Sequence, residues 1–214
     1  MPLTKVKWPG SDRGTEWMAG LYFTYSAMNA GKSTLLLQAA HNYREQGMQV
    51  MLWTSSHHGD RIGAETGLIS SRIGLSDTAN LFYPTTNFRR LFERLEKPDL
   101  PAAIFIDEAQ FLSQAQVRQL AELCDDYGVP VLCYGLRTDF RGILFDGAAE
   151  LLAIADHLRE ARTICHCGRK ATMNLRMDGD GRTMSDGVQV KVSKDAYTSL
   201  CRKHWREAMA SQDN

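Results

Sequence analysis

No other stretch of this 214-residue chain limits its fold as much as Ser26-Ala-Met-Asn-Ala-Gly-Lys-Ser. An apolar, β-favouring run starting at Leu21 leads into it. After it, Leu36, Leu37, Ala40 and Tyr43 recur at helical spacing until Gly47 stops the helix. Strand, tight turn and helix, closing on Gly-Lys-Ser, is the phosphate-loop pattern. Gly31 lets backbone N–H groups approach phosphates, Lys32 supplies a mobile positive charge, and the Ser33 hydroxyl suits Mg²⁺. The helix start adds a favourable potential for anions. The first position of the pattern, normally glycine, is Ser26, which must then adopt whatever geometry glycine would have eased. A chance turn of small residues is the plain alternative, and the flanking strand and helix argue against it. The loop implies ATP with Mg²⁺ and a phosphoryl transfer.

The rest of the chain supports an α/β class. Residues 50–54, 102–106 and 130–136 read as buried strands, and residues 115–127 and 148–155 as helices. Ser113 is an N-cap candidate for the helix that Gly128 ends. Alternating strands and helices predict a parallel, P-loop NTPase-like sheet flanked by helices. The Gly/Ser-rich residues 55–76 read as one long loop that closes over a site or meets a neighbouring subunit. From about residue 162 the pattern changes to a small β-rich module. Its strand-like runs are 171–177 and 188–192, with Asp178-Gly-Asp-Gly as a turn between them, and a short helix follows. So small a module cannot bury enough core unaided and needs a staple. The expected organisation is a polar extension over 1–18, a kinase-like α/β domain over 19–161 and a metal-stapled domain over 162–214.

Two further clusters carry chemistry. Ile104-Phe-Ile-Asp-Glu-Ala-Gln puts Asp107 and Glu108 at the C-terminal end of a buried strand, the edge where open α/β sheets bind ligands. Asp107 is the natural support for Mg²⁺ beside Ser33, and Glu108 is the candidate to take the acceptor hydroxyl's proton. Cys165-His-Cys and Cys201-Arg-Lys-His offer Cys165, Cys167, Cys201 and His204 as a closed tetrahedral site for structural Zn²⁺. In an extended segment, alternation turns His166 away from its two cysteine neighbours. Cys124 and Cys133 read as core residues. His41, His57, His58 and His157 are isolated and read as structural or solvated. Arg137, Asp139, Phe140 and Arg141 leave the sheet at its C-terminal edge, in a loop suited either to line an acceptor pocket or simply to connect elements.

Acidic and basic residues balance at 25 each, and no basic stripe interleaved with aromatics appears, so neither nucleic acid nor an anionic membrane is an expected partner. No apolar run approaches membrane-spanning length and the N-terminus lacks a signal-like core, which favours the cytoplasm. On these patterns alone, a nucleotide-dependent binding or switch protein, with the metal module as its contact surface, stands as the alternative to an enzyme.

Taken together, several quoted segments resemble the type II, zinc-containing thymidine kinases. These are Tyr-Ser-Ala-Met-Asn-Ala-Gly-Lys-Ser, Ser71-Arg-Ile-Gly-Leu-Ser, Ile106-Asp-Glu-Ala-Gln-Phe-Leu, Leu132-Cys-Tyr-Gly-Leu-Arg-Thr-Asp-Phe-Arg-Gly and Thr163-Ile-Cys-His-Cys-Gly-Arg-Lys-Ala. The resemblance runs from about residue 20 to residue 208, and the serine at position 26 is similar to the bacterial form. It implies transfer of the ATP γ-phosphoryl to the 5′-hydroxyl of thymidine, with Glu108 as base. ATP would be bound by Ser26, Ala27, Met28, Asn29, Ala30, Gly31, Lys32 and Ser33, together with Arg61, Asp107, Glu108, Ala109 and Gln110. Thymidine would be held by Met28, Phe111, Leu136, Phe140 and Phe145, by a closing loop of Val188, Gln189, Val190, Lys191 and Val192, and by Tyr197. In that loop Lys191-Val192-Ser193 stands where a glycine-containing turn is more usual. The resemblance also implies a homotetramer with thymidine triphosphate as feedback inhibitor.

Overall fold

The computed structural model describes residues 19–58, 66–96, 99–187, 189 and 197–211. In chain order these form β1 (Leu21–Ser26), α1 (Lys32–Glu45), β2 (Val50–Ser55), β3 (Thr66–Ser70), β4 (Ser76–Phe82) and α2 (Phe88–Phe92). Then come β5 (Ala103–Ile106), α3 (Gln114–Tyr127), β6 (Val131–Leu136), α4 (Asp146–Ile154) and β7 (His157–Glu160). A seven-stranded sheet in the order β3-β4-β2-β5-β6-β1-β7 organises them. Its pairings are parallel except at the edge, where β3 runs antiparallel to β4.

The sheet separates two apolar layers, and β5 shows why its sequence is uniformly apolar. Ile104 and Ile106 pack with Leu120, Leu123 and Leu151 on the face covered by α3 and α4. Ala103 and Phe105 point the other way, against Leu36, Leu37 and Ala40 of α1. All four β5 side chains are fully buried, and each large one contributes about 1.5–3 kcal/mol. Helix α3 begins with a reciprocal cap: Ser113 Oγ accepts from the Gln116 N–H (3.2 Å) and Gln116 Oε1 from the Ser113 N–H (3.0 Å). Gln116 Nε2 also donates to the Tyr83 and Thr86 carbonyls, tying the cap to the chain leaving β4.

Several expectations are corrected. Residues 55–76 are not one loop: a short 3₁₀ turn (Ser56–His58) follows β2, and β3 and the first residue of β4 lie inside the segment. Its glycines and serines mask a period-two pattern that buries Ile69 and continues beyond the segment with Ala79 and Leu81. The sheet is parallel as expected, with an antiparallel edge strand added by this segment. Strand β7 has an exposed, polar sequence and owes its existence to pairing with β1. The final helix of the sheet unit starts at Asp146 and the first at Lys32.

After Ala161 the chain forms β8 (Thr163–Ile164) paired with β9 (Lys170–Ala171), β10 (Met173–Arg176) paired with β11 (Tyr197–Leu200), and α5 (Arg202–Ala210). The expected single strand over 171–177 is thus split at Thr172. The expected strand over 188–192 lies outside the described residues except Gln189, as does the extension 1–18. The module's apolar cluster is small, with Cys165, Ala171, Leu175, Leu200 and Cys201 at its centre. Among the described residues no helix is long and apolar enough to cross a membrane.

Candidate functional site

The chain leaves β1 at Ser26, which remains in strand register opposite Leu136. The left-handed backbone the loop requires falls further on, at Asn29 (φ 61°) and Gly31 (φ 76°). The missing first glycine therefore costs nothing in geometry. Ser26 also does what glycine cannot, because its hydroxyl accepts from Lys32 Nζ at 3.0 Å. Lys32 Nζ donates as well to the Ala27 carbonyl at 3.2 Å. Desolvation lowers the Lys32 pKa, and the neighbouring charges of Glu108 and Asp107 partly oppose it.

Across the strand edge, Ser33 Oγ donates to Asp107 Oδ2 at 3.0 Å, joining the start of α1 to the end of β5. Asp107 is almost solvent-free. Burial, then the charge of Glu108, pushes its carboxyl up to about 7, against the pull of Ser33 and Lys32. The two oxygens are hard donors of the kind Mg²⁺ takes.

Glu108 has φ 54° and ψ 36°. Among the described residues, it and Asn29 are the non-glycine positions with positive φ, and both lie at this edge. Backbone of this kind costs about 1–3 kcal/mol and persists where the surroundings over-determine it. The surroundings do so here. The chain turns at once into a 3₁₀ segment (Ala109–Phe111), on which α4 rests so closely that a Cβ at Gly147 would lie 2.5 Å from the Leu112 carbonyl and 2.7 Å from that of Ala109. Gln110, buried beneath, donates from Nε2 to Glu108 Oε2 at 2.6 Å.

Of the residues expected to line an acceptor pocket, Leu136 is linked to Glu108 through Gln110, and Phe111 closes the 3₁₀ segment that follows Glu108. Phe111 packs edge-on to Phe145 (centroids 5.7 Å) and face-on to His57 (4.6 Å), so His57 belongs to this aromatic group. The buried Phe140 ring has the guanidinium groups of Arg141 and Arg176 over it, at 5.5 and 5.3 Å. Asp139 is spent on the turn, pairing with Arg141 and accepting the Arg141 and Ile143 N–H groups. Tyr197 opens β11 opposite Arg176. Arg61, Val188, Val190, Lys191 and Val192 lie outside the described residues.

The second cluster is compact. The ligand atoms of Cys165, Cys167, Cys201 and His204 all lie within 4.8 Å of one another. Cys167 Sγ is 3.9 Å from Cys201 Sγ, and His204 Nδ1 is 3.3 and 3.6 Å from the sulfurs of Cys165 and Cys201. Tetrahedral bonds of ~2.0–2.3 Å would set such ligand atoms roughly 3.5–3.8 Å apart, so the set fits Zn²⁺ bound through Nδ1. Burial opposes ionisation of Cys165, but the backbone N–H groups of Cys167 and Cys201, followed by His204, bring its thiol down to about 6. His166 stands outside the set and stacks on the His204 ring at 4.3 Å. Cys124 and Cys133 are buried in the sheet core, where desolvation raises both thiols.

Three residues at this edge carry no sequence signal for a role in it. His57 has none at all. Asn174 and Ser199 are polar residues within short strands, and both reach Met28 of the phosphate loop.

The family model described as thymidine kinase matches residues 19–205 of this chain. A thymidine kinase of Ruegeria pomeroyi is 57% identical over 193 residues, covering 89% of this chain and 96% of that protein. One from Mesorhizobium japonicum is 54% identical over 193 residues, covering 90% and 93%. One from Vibrio cholerae serotype O1 is 51% identical over 193 residues, covering 90% and 99%.

Proposed function

Because the chain belongs to the thymidine kinase family, we propose that the edge formed by β1, β5 and β6 is where it moves the γ-phosphoryl of ATP to the 5′-hydroxyl of thymidine. The protein is a nucleoside kinase, and thymidine and ATP are its substrates. The observation that carries the assignment of the site is the convergence of Lys32, the Ser33–Asp107 pair and Glu108 at one sheet edge.

In this reading residues 26–33, with Arg61 and residues 107–110, bind ATP, and Lys32 offsets charge on the phosphates. Ser33 and Asp107 would hold Mg²⁺, which when bound neutralises phosphate charge. The Glu108 carboxylate accepts the proton of the 5′-hydroxyl. As that O–H bond breaks, the oxygen bonds the γ-phosphorus and the bond from phosphorus to the ADP oxygen breaks, so ADP departs with the electron pair. Glu108 then returns its proton to solvent. Positioning and charge compensation supply most of the acceleration. Phe111, Phe145, Leu136, Phe140 and Met28 form the base pocket, closed by residues 188–192 and Tyr197.

Zn²⁺ at Cys165, Cys167, Cys201 and His204 is structural in this proposal, since four protein ligands leave no open position. The proposal also includes the division into 19–161 and 162–214, a cytoplasmic homotetramer, and inhibition by thymidine triphosphate. Incubation with labelled thymidine, ATP and Mg²⁺ should yield labelled monophosphate, and its absence would refute the reading. Glu108→Gln should depress turnover far more than ATP binding, and equal losses in both would count against its role as base.

A further inference from the structure

The phosphate loop is held from outside the sheet unit, at its middle, by one residue pair of the C-terminal module. Asn174 on β10 and Ser199 on β11 face each other in the antiparallel register. Asn174 Oδ1 accepts the Met28 N–H at 2.8 Å, and Ser199 Oγ donates to the Met28 carbonyl at 2.6 Å. One cross-strand pair thus takes both backbone groups of the same loop residue. The Asn174 side chain is not free to turn away. Asn174 is 2% exposed and its Nδ2 donates to the Thr138 carbonyl at 3.1 Å. A flipped amide would set N–H against N–H and oxygen against oxygen, so its orientation is determined. Thr163 Oγ1 adds a bond to the carbonyl of the next loop residue, Asn29, at 3.3 Å.

We infer that Asn174 and Ser199 are positioning residues for ATP, acting through Met28 to hold the loop in its phosphate-binding conformation. The inference rests on the reading that residues 26–33 bind the phosphates. Its physical basis is the backbone just beyond the clamp. Asn29 is a non-glycine residue at φ 61°, a left-handed conformation that asparagine tolerates better than most residues but that external restraint helps to hold. Fixing the two polar groups of Met28 sets the direction in which the chain enters Asn29, and hence the aim of the N–H groups that follow. The bonds span 146 and 171 residues, so no local propensity substitutes for them. The same Asn174 side chain reaches Thr138 on the strand exit that carries Phe140, placing donor-side and acceptor-side walls on one support.

The test measures ATP binding without thymidine, and KM for each substrate, in Asn174→Ala, Ser199→Ala and the double variant, beside Ser199→Thr and Lys32→Ala. Each alanine variant should weaken ATP binding by about three- to tenfold, the value of one or two net hydrogen bonds. Thymidine KM should move less than the ATP value, and Ser199→Thr, which keeps the hydroxyl, should recover most of the loss. The double variant should lose less than the product of the singles, because both act on one residue. Should Asn174→Ala fail to fold, Ser199→Ala carries the test alone, since it removes a single hydroxyl. Folded variants with unchanged ATP binding would overturn the inference, as would a loss confined to thymidine. Lys32→Ala separates the two levels. If it retains ATP binding, the loop itself has been misread. If it loses binding while the clamp variants do not, only the clamp falls.

Discussion

Gln110 Nε2 donates to Glu108 Oε2 across 2.6 Å, while Gln110 Oε1 accepts the Leu136 N–H across 2.9 Å. The amide thus hangs the carboxylate of the β5 exit from the last residue of β6. Gly135 makes room for it, since a Cβ there would lie 2.8 Å from Gln110 Oε1. A carboxylate on a strained turn, aimed by a buried amide, is fixed before any substrate arrives.

Gln110→Leu keeps the side chain's bulk and removes both bonds. We expect kcat to fall on the order of 10- to 100-fold, the value of a hydrogen bond to a charged group. ATP affinity should fall less than kcat. Steady-state kinetics checks this, and equal losses in kcat and ATP affinity would mean that Gln110 serves the donor alone.

The left-handed backbone at Glu108 separates activity from stability. Glu108→Ala and Glu108→Gly should both be inactive, but the glycine variant should be more stable than the alanine variant by about 1 kcal/mol, because glycine occupies this region without Cβ strain. Urea unfolding of the two variants makes the comparison. An alanine variant as stable as the glycine one would show that the turn is unstrained.

Asp107 gives a pH prediction. Its carboxyl titrates near 7 in the folded protein, against an ordinary 3.8. Between those values the native state keeps a proton that the unfolded chain has lost, so stability falls as pH rises through that window. Asp107→Asn should remove this dependence and, without added Mg²⁺ at pH 8, raise stability. Unfolding midpoints at pH 5 and pH 8 report it. A variant equally sensitive to pH would place the titration elsewhere.

Metal removal should act on the module first. Protein purified without chelator should carry about one Zn²⁺ per chain, and stripping it should lower the melting temperature and unmask the thiols of Cys165, Cys167 and Cys201. A folded, active, metal-free protein would contradict the structural role.

The elements legible in the sequence are those whose cause is local. The periodic apolar residues of α1, the unbroken apolar run of β5 and the Ser113 N-cap all announce themselves within a few residues. The Cys165, Cys167, Cys201 and His204 cluster did so through ligand chemistry and spacing. β7 escaped notice because its residues are largely exposed and polar, and only its neighbour β1 makes them a strand. The β3–β4 hairpin was hidden because glycine and serine are as common in loops as in small edge strands.

By itself the sequence determined which chemistry is available: a phosphate loop, two adjacent carboxylates and a Cys₃His set, each encoded by contiguous or closely spaced residues. The tertiary structure alone decided how those parts are aimed. Ser26 proved suitable because the left-handed backbone falls at Asn29 and Gly31, and Glu108 owes its direction to Gln110 and to the close approach of α4 at Gly147. Met28 is held by residues 146 and 171 positions away. Hydrogen-bond direction and close packing depend on which distant atoms meet within about 3 Å, and no local pattern of residues carries that information.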